Sequence, residues 1–129
     1  RGVNLEYSAL FLAEVPVLEF MKAISVRLNA EKAEGEELVV NFIFTDLAQN
    51  YVLEIRNSVM HYRQGEPAKD ANASLSISHP LFVSMLTGRA SIAETLLSDE
   101  LSLEGSRLDL IRFFSLLDKP TGAFPIVSP

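Results

Sequence analysis

No cysteine occurs anywhere in the 129 residues, which excludes a disulfide framework, a thiolate metal site and a cysteine nucleophile. Redox compartment therefore leaves no trace in the chain. Basic residues are the minority charge, 11 Lys and Arg against 17 Asp and Glu, and they are scattered. With a net charge of −6 the electrostatic footprint that attracts a phosphate backbone is missing, and no nucleic acid partner is expected. Only two histidines are present, His61 and His79, far apart and in no shared motif. A catalytic zinc takes about three protein ligands at fixed spacing, so no metal site is expected. Glycine-rich phosphate loops, nucleophile elbows and zinc-protease helices are absent too. Long apolar runs are also missing. None approaches the roughly 20 residues needed to cross a bilayer, and the chain reads as soluble rather than transmembrane.

What remains is the length of one domain with an apolar core. The carboxylates Glu31, Glu34, Glu36 and Glu37 fall in a polar loop around Gly35, and Asp99 with Glu100 in a connection. Such clusters are solvated faces rather than acid–base pairs, and no catalytic residue is assigned. The chain starts at Arg1 rather than Met, without the basic, apolar, small-residue succession of a secretory signal, and is expected to be a fragment of something longer. Val3, Tyr7, Leu10, Phe11 and Glu14 share a helical face before Pro16 interrupts. Residues 1–16 are expected to be a helix or linker from a preceding domain, packing on the core or docking on a neighbour, with the main domain over 17–129.

From there the hydrophobic period places the elements. Val17, Phe20, Met21, Ile24 and Leu28 recur at helical spacing, so an amphipathic helix is predicted over 17–28, followed by an exposed loop over 29–37. Leu38, Val40, Phe42 and Phe44 alternate with a mixed set, as do Tyr51, Leu53 and Ile55, and these two strands should pair. Asn57 and Ser58 form a tight turn into a third strand over 59–63, with Met60 and Tyr62 on one face. A fourth strand over 73–78 points Leu75 and Ile77 inward and its serines outward, and the four are read as a meander. Pro80 suits the first turn of a helix capped by Ser78 or His79, carrying Leu81, Phe82, Met85 and Leu86 and ending at Gly88. His79 is read as a cap or surface residue, and His61 as exposed beside Arg63.

The last third changes period twice. Ser91 and Glu94 have capping-box spacing ahead of Ile92, Leu96 and Leu97. Leu101 to Glu104 alternate as a short strand that stops at Gly105. After Ser106, Leu110, Phe113, Phe114 and Leu117 fall at i, i+3, i+4 and i+7, with Leu108 and Ile111 widening the stripe. The sum is an α+β fold, a roughly five-stranded, mostly antiparallel sheet with helices layered on one face. Phe20, Met21, Phe42, Phe44, Met60, Phe82, Met85, Phe113 and Phe114 should face one another across it. They make either an ordinary core or an adaptable lining for an aliphatic ligand. Arg56, Arg63, Arg89 and Arg107 are candidates to meet an anionic head group at a mouth.

Ordered segments carry a resemblance. LEFMKAISVRLNAEKA from Leu18, QNYVLEIRNSVMHY from Gln49, HPLFVSMLTGRASIAETL from His79, LSLEGSRLDLIRFFSLLD from Leu101 and the closing FPIVSP from Phe124 resemble the carboxy-terminal domain of bacterial alkyl sulfatases, within the sterol-carrier-protein superfamily. The resemblance covers about Val17 to Pro129. It implies a partnership with a metallo-β-lactamase-type domain holding two zinc ions and with a helical dimerisation domain, in an enzyme that cleaves alkyl sulfates to alcohol and sulfate. That family's metal-binding motifs are absent here. No cofactor belongs to this chain, zinc being expected only in the separate catalytic domain, and the chain alone should not be a sulfatase. The resemblance further implies a module that holds the aliphatic tail of the substrate, with an alkyl sulfate or other amphiphile, neighbouring domains and a second copy as partners; the alternatives are a domain-docking or dimer-stabilising module without a ligand, and a stand-alone lipid carrier. Cytoplasm, periplasm and the exterior all remain open as compartments.

Overall fold

The computed structural model describes residues 16–89, 91–99 and 101–118. The face shared by Val3 to Glu14 and the closing FPIVSP lie outside them. Helix α1 spans Val17–Val26 and buries Val17, Phe20, Met21 and Ile24. Strands β1 (Leu38–Phe44), β2 (Gln49–Arg56), β3 (Val59–Gln64) and β4 (Ala73–Ile77) follow. Helices α2 (His79–Leu86) and α3 (Ile92–Leu96), strand β5 (Ser102–Gly105) and helix α4 (Arg107–Ser115) complete the order.

The β1–β2 and β2–β3 hairpins form where the alternation and turn residues place them. In the second, Asn57 and Ser58 both take positive φ, 53° and 59°, the arrangement that matches strand twist in a two-residue connection. The meander ends there. Strand β4 does not continue beside β3; it crosses to the far side of β1 and pairs with it in parallel, giving the order β3-β2-β1-β4-β5. Register keeps one face apolar throughout, with Phe42 between Tyr51 and Leu75, and Leu75 beside Leu103.

The crossing is made by residues 65–72, and Asn41 fixes it on the opposite face of the sheet. Its Nδ2 donates to Ala68 O (2.9 Å) and to Ser74 Oγ (2.9 Å), while its Oδ1 accepts from Ala68 N–H (2.8 Å). A buried strand asparagine thus supplies both partners of the Ala68 backbone in the crossing. Asn72 closes the crossing. Its N–H donates to Val39 O, its Oδ1 accepts from Val39 N–H, and its O accepts from Ser106 N–H. Gly105 takes φ +94° against this residue, where an added Cβ would stand 2.6 Å from Asn72 O.

Each remaining helix starts on a serine, as the cap residues predict. Ser78 Oγ accepts from Leu81 N–H, Ser91 Oγ from Glu94 N–H and Ser106 Oγ from Asp109 N–H. Gly88 takes positive φ beyond α2. Other expectations need correction. Helix α4 ends at Ser115, and its stripe is narrower than Leu108 and Ile111 suggested: Leu108 is 77% exposed and Ile111 40%, while Leu110, Phe113 and Phe114 are buried. Leu97 projects to solvent as the C-cap of α3 rather than packing inward. Leu28 and Leu117 are not helical. They pair as an isolated antiparallel bridge, with Asn29 N–H donating to Leu116 O and Asp118 N–H to Arg27 O. This clasp joins the end of α1 to the end of α4. The 29–37 connection is mostly exposed but inserts Ala33 into the core.

Candidate functional site

All nine candidate side chains enter one cluster between sheet and helices, none of them more than 6% exposed. Sheet alternation brings Phe42 and Phe44 up from β1 and Met60 from β3; the helices bring Phe20 and Met21 down from α1, Phe82 and Met85 from α2, and Phe113 and Phe114 from α4. The rings touch. Phe82 lies 5.0 Å from Phe44, 5.6 Å from Phe42 and 6.3 Å from Phe20 between centroids, each edge to face. Phe42 lies 5.9 Å from Phe113 and 6.2 Å from Phe114. Tilted and edge-on contacts at these distances are the arrangement aromatic quadrupoles favour. The same cluster holds Tyr51, Leu53, Ile55, Leu75 and Ile77.

His79 is the residue that sequence reasoning misplaced. It is buried, with its ring edge-on to Phe20 at 5.7 Å and to Phe44 at 6.2 Å, and its N–H donates to Asp46 Oδ1 at 3.0 Å. The signal was present, since His79, Phe82 and Leu86 fall at i, i+3 and i+7 of one helical face. His61 is exposed, as expected. Tyr51, 2% exposed, donates from its hydroxyl to Gln49 Oε1 at 3.1 Å, and burial pushes its phenol above the usual value.

The arginines divide by face. Arg56 and Arg63 belong to the side of the sheet opposite the cluster, as the alternation with Ile55 and Tyr62 dictates, so neither sits at a mouth to it. Arg56 pairs with Glu54 at 3.3 Å, and Arg63 donates to Glu66 O. Arg89 follows α2 and Arg107 opens α4, and both are exposed. Arg112 bridges Asp109 and Glu36. At the clasp, Arg27 Nε donates to Asp118 O; burial lowers its guanidinium from the ordinary value, with the Asp118 carboxylate opposing. Among the described residues no three His, Asp or Glu side chains gather where they could hold a metal ion, and no helix is long and apolar enough to cross a membrane. A helix-covered apolar cluster of this kind can pack as a core or hold an aliphatic group.

Comparison with known proteins places this geometry. The family described as alkyl sulfatase C-terminal matches residues 6–129. The chain belongs to that family. The alkyl/aryl-sulfatase BDS1 of Saccharomyces cerevisiae is 33% identical over 110 residues, which cover 85% of this chain and 17% of the enzyme. The stereoselective inverting sec-alkylsulfatase Pisa1 from Pseudomonas superposes with a TM-score of 0.77 at 26% identity, over 89% of this chain and 18% of its own. This alkyl sulfatase C-terminal chain thus spans about a sixth of the length of such relatives. A sterol carrier protein 2 of Aedes aegypti, solved in complex with palmitate, matches 74% of the chain and 94% of itself with a TM-score of 0.51 at 19% identity, which shows the shared fold. The α+β, sterol-carrier-like architecture expected from the sequence is the one observed.

Proposed function

We propose that this chain is the non-catalytic module of an alkyl sulfatase-type hydrolase that holds the aliphatic tail of the substrate, while a separate dinuclear zinc domain hydrolyses the sulfate ester. The observation that carries the reading is the gathering of nine Phe and Met side chains into one helix-covered cluster, in a chain of this family. Such side chains make an adaptable aliphatic lining. The sterol carrier protein that shares the fold was solved with a fatty acid, which supports the same use. Each methylene buried is worth about 0.8 kcal/mol, so a medium-length tail offers enough affinity to outlast the cost of ordering it. Arg89, which follows α2, and Arg107, which opens α4, are the exposed basic residues assigned to the anionic head in this reading.

Calorimetric titration of the chain with decyl sulfate below its micelle concentration, beside methyl sulfate, tests this. Saturable one-to-one binding of the long chain alone, with a negative heat-capacity change, is the expected result. A folded chain that takes up neither ligand sinks the reading.

A second reading is a ligand-free structural module. Exposed Leu97, Leu108 and Ile111, with the direct ring-to-ring packing inside, favour it. It makes the helical side a docking face for neighbouring domains or a second copy.

A further inference from the structure

We infer that the segment 119–129, KPTGAFPIVSP, docks through Phe124, Ile126 and Val127 on the outer face of helix α1, along the row from Val26 to Leu18. This goes beyond the tail-holding reading and stands whether or not the apolar cluster takes a ligand.

Helix α1 is apolar on more than its core side. Val17, Phe20, Met21 and Ile24 are buried, yet Leu18 is 38% exposed and Val26 82%. Leu18, Lys22 and Val26 recur at i, i+4 and i+8, which sets them in one row along the helix. Lys22, in the middle of that row, is paired with Glu19 at 3.4 Å and brings no unbalanced charge.

The clasp sets the direction in which the chain leaves the described fold. Asn29 N–H donates to Leu116 O, Leu28 pairs with Leu117 in the antiparallel sense, and Asp118 N–H donates to Arg27 O. The two segments thus run past each other residue by residue. Arg27 Nε also donates to Asp118 O at 3.0 Å, which holds the exit against the end of α1. The next step of that ladder carries residue 119 towards Val26, the last residue of the helix. From there the exposed row lies straight ahead. To reach Leu108 or Ile111 the segment would have to reverse, because α4 ends at Ser115 and lies behind the exit.

Length and composition suit the segment to that row. Extended, residues 119–129 reach about 36 Å, against about 12 Å from Val26 to Leu18. Lys119 to Ala123 then serve as a spacer, and Phe124, Ile126 and Val127 supply bulky apolar side chains in a stretch that holds no acidic residue. Three of the chain's six prolines, Pro120, Pro125 and Pro129, also fall here. Proline narrows the backbone freedom of an undocked segment, so docking surrenders less entropy. Apolar area removed from water on both partners favours the contact by about 25 cal/mol per Å².

The chain contains no tryptophan, so Phe124→Trp in the 129-residue protein places a single indole in the segment, and Ile126→Trp repeats the measurement from a second position. Emission wavelength and quenching by acrylamide report how far each indole is shielded from water. The expected result is shielding in both proteins, loss of it with a red shift and faster quenching when Val26→Glu is added, and no change when Leu108→Glu is added instead. Val26 and Leu108 are comparably exposed, so neither change should disturb the fold, which circular dichroism checks. Indoles quenched as readily as free tryptophan at both positions would overturn the docking. Shielding that Val26→Glu leaves intact would overturn it too, as would release by Leu108→Glu to the same extent, which puts the segment on α4. Shielding that fades on dilution would make a second copy the partner and overturn docking within one chain.

Discussion

Asn41 and Ala68 exchange two hydrogen bonds across the outer face of the sheet, Nδ2 to O at 2.9 Å and N–H to Oδ1 at 2.8 Å. The pair does the work of one rung of a β-ladder with a side chain. It satisfies the N–H and C=O of Ala68 as the chain crosses from β3 to the far side of β1.

Asn41→Ala should destabilise the fold by about 2–3 kcal/mol, because the Ala68 N–H and C=O lose their partners beneath the crossing segment. Urea unfolding gives the magnitude. Amide exchange gives the place, since Ala68 should lose protection before the hairpin strands do. A stability change under about 0.5 kcal/mol would mean that water replaces the side chain without penalty.

Gly105 and Gly35 both take positive φ, +94° and +77°, yet they should respond differently to alanine. At Gly35 the new Cβ meets nothing within 4 Å, so Gly35→Ala should cost only the left-handed penalty of about 1–2 kcal/mol. At Gly105 it meets Asn72 O at 2.6 Å and Ala73 Cα at 3.0 Å. Gly105→Ala adds a backbone clash to that penalty and should exceed Gly35→Ala by at least about 1 kcal/mol in thermal or chemical unfolding. Equal costs would show that β5 can drift from β4 freely.

Two neighbouring leucines of α4 should also separate. Leu110→Ala, at a fully buried position, should cost about 2–5 kcal/mol, whereas Leu108→Ser should change the stability of the chain by less than about 0.5 kcal/mol. If the helical side docks on another domain, Leu108→Glu should weaken assembly in the longer enzyme while leaving this chain's melting temperature alone. Size-exclusion chromatography and calorimetry separate the two effects.

Tyr51 sets an alkaline limit. Burial raises its phenol above the ordinary value of 10.0, so the unfolded chain deprotonates first as pH rises. Its contribution is intact below pH 10.0 and is lost progressively as pH climbs through the raised value. Tyr51→Phe should flatten that alkaline decline in urea midpoints while leaving the neutral range parallel to the wild type. An unaltered decline would assign it to other groups.

How much of this the sequence held depends on how local each interaction is. The hairpins of β1, β2 and β3 were legible because alternation fixes which side chains point inward and Asn57–Ser58 fixes the connection. The partner of β4 was not, since pairing across thirty-three positions leaves no local mark. Asn41 carries no local mark of its burial for the same reason: what lies over it is a distant segment. In α4 the periodicity of Leu110, Phe113 and Phe114 was sound, but the width of a buried stripe depends on what lies alongside the helix, and among the described residues nothing covers Leu108. His79 went astray because polarity was weighed above its helical phase with Phe82. The nine candidate residues were gathered by pattern alone, yet pattern could not say that their rings would be in contact, because packing density belongs to the three-dimensional fit.

The parallel seam between β1 and β4 also orders events in time. Strands β1, β2 and β3 are consecutive and their pairing closes only short loops, whereas β4 lies about thirty residues along the chain from its partner β1, a separation that only the prior hairpins shorten. The three hairpin strands are therefore expected to pair before β4 joins them. Until that addition, one edge of β1 and the ring of Phe42 stand open to water and to other chains. While the seam is open, that edge is a template on which another strand can pair.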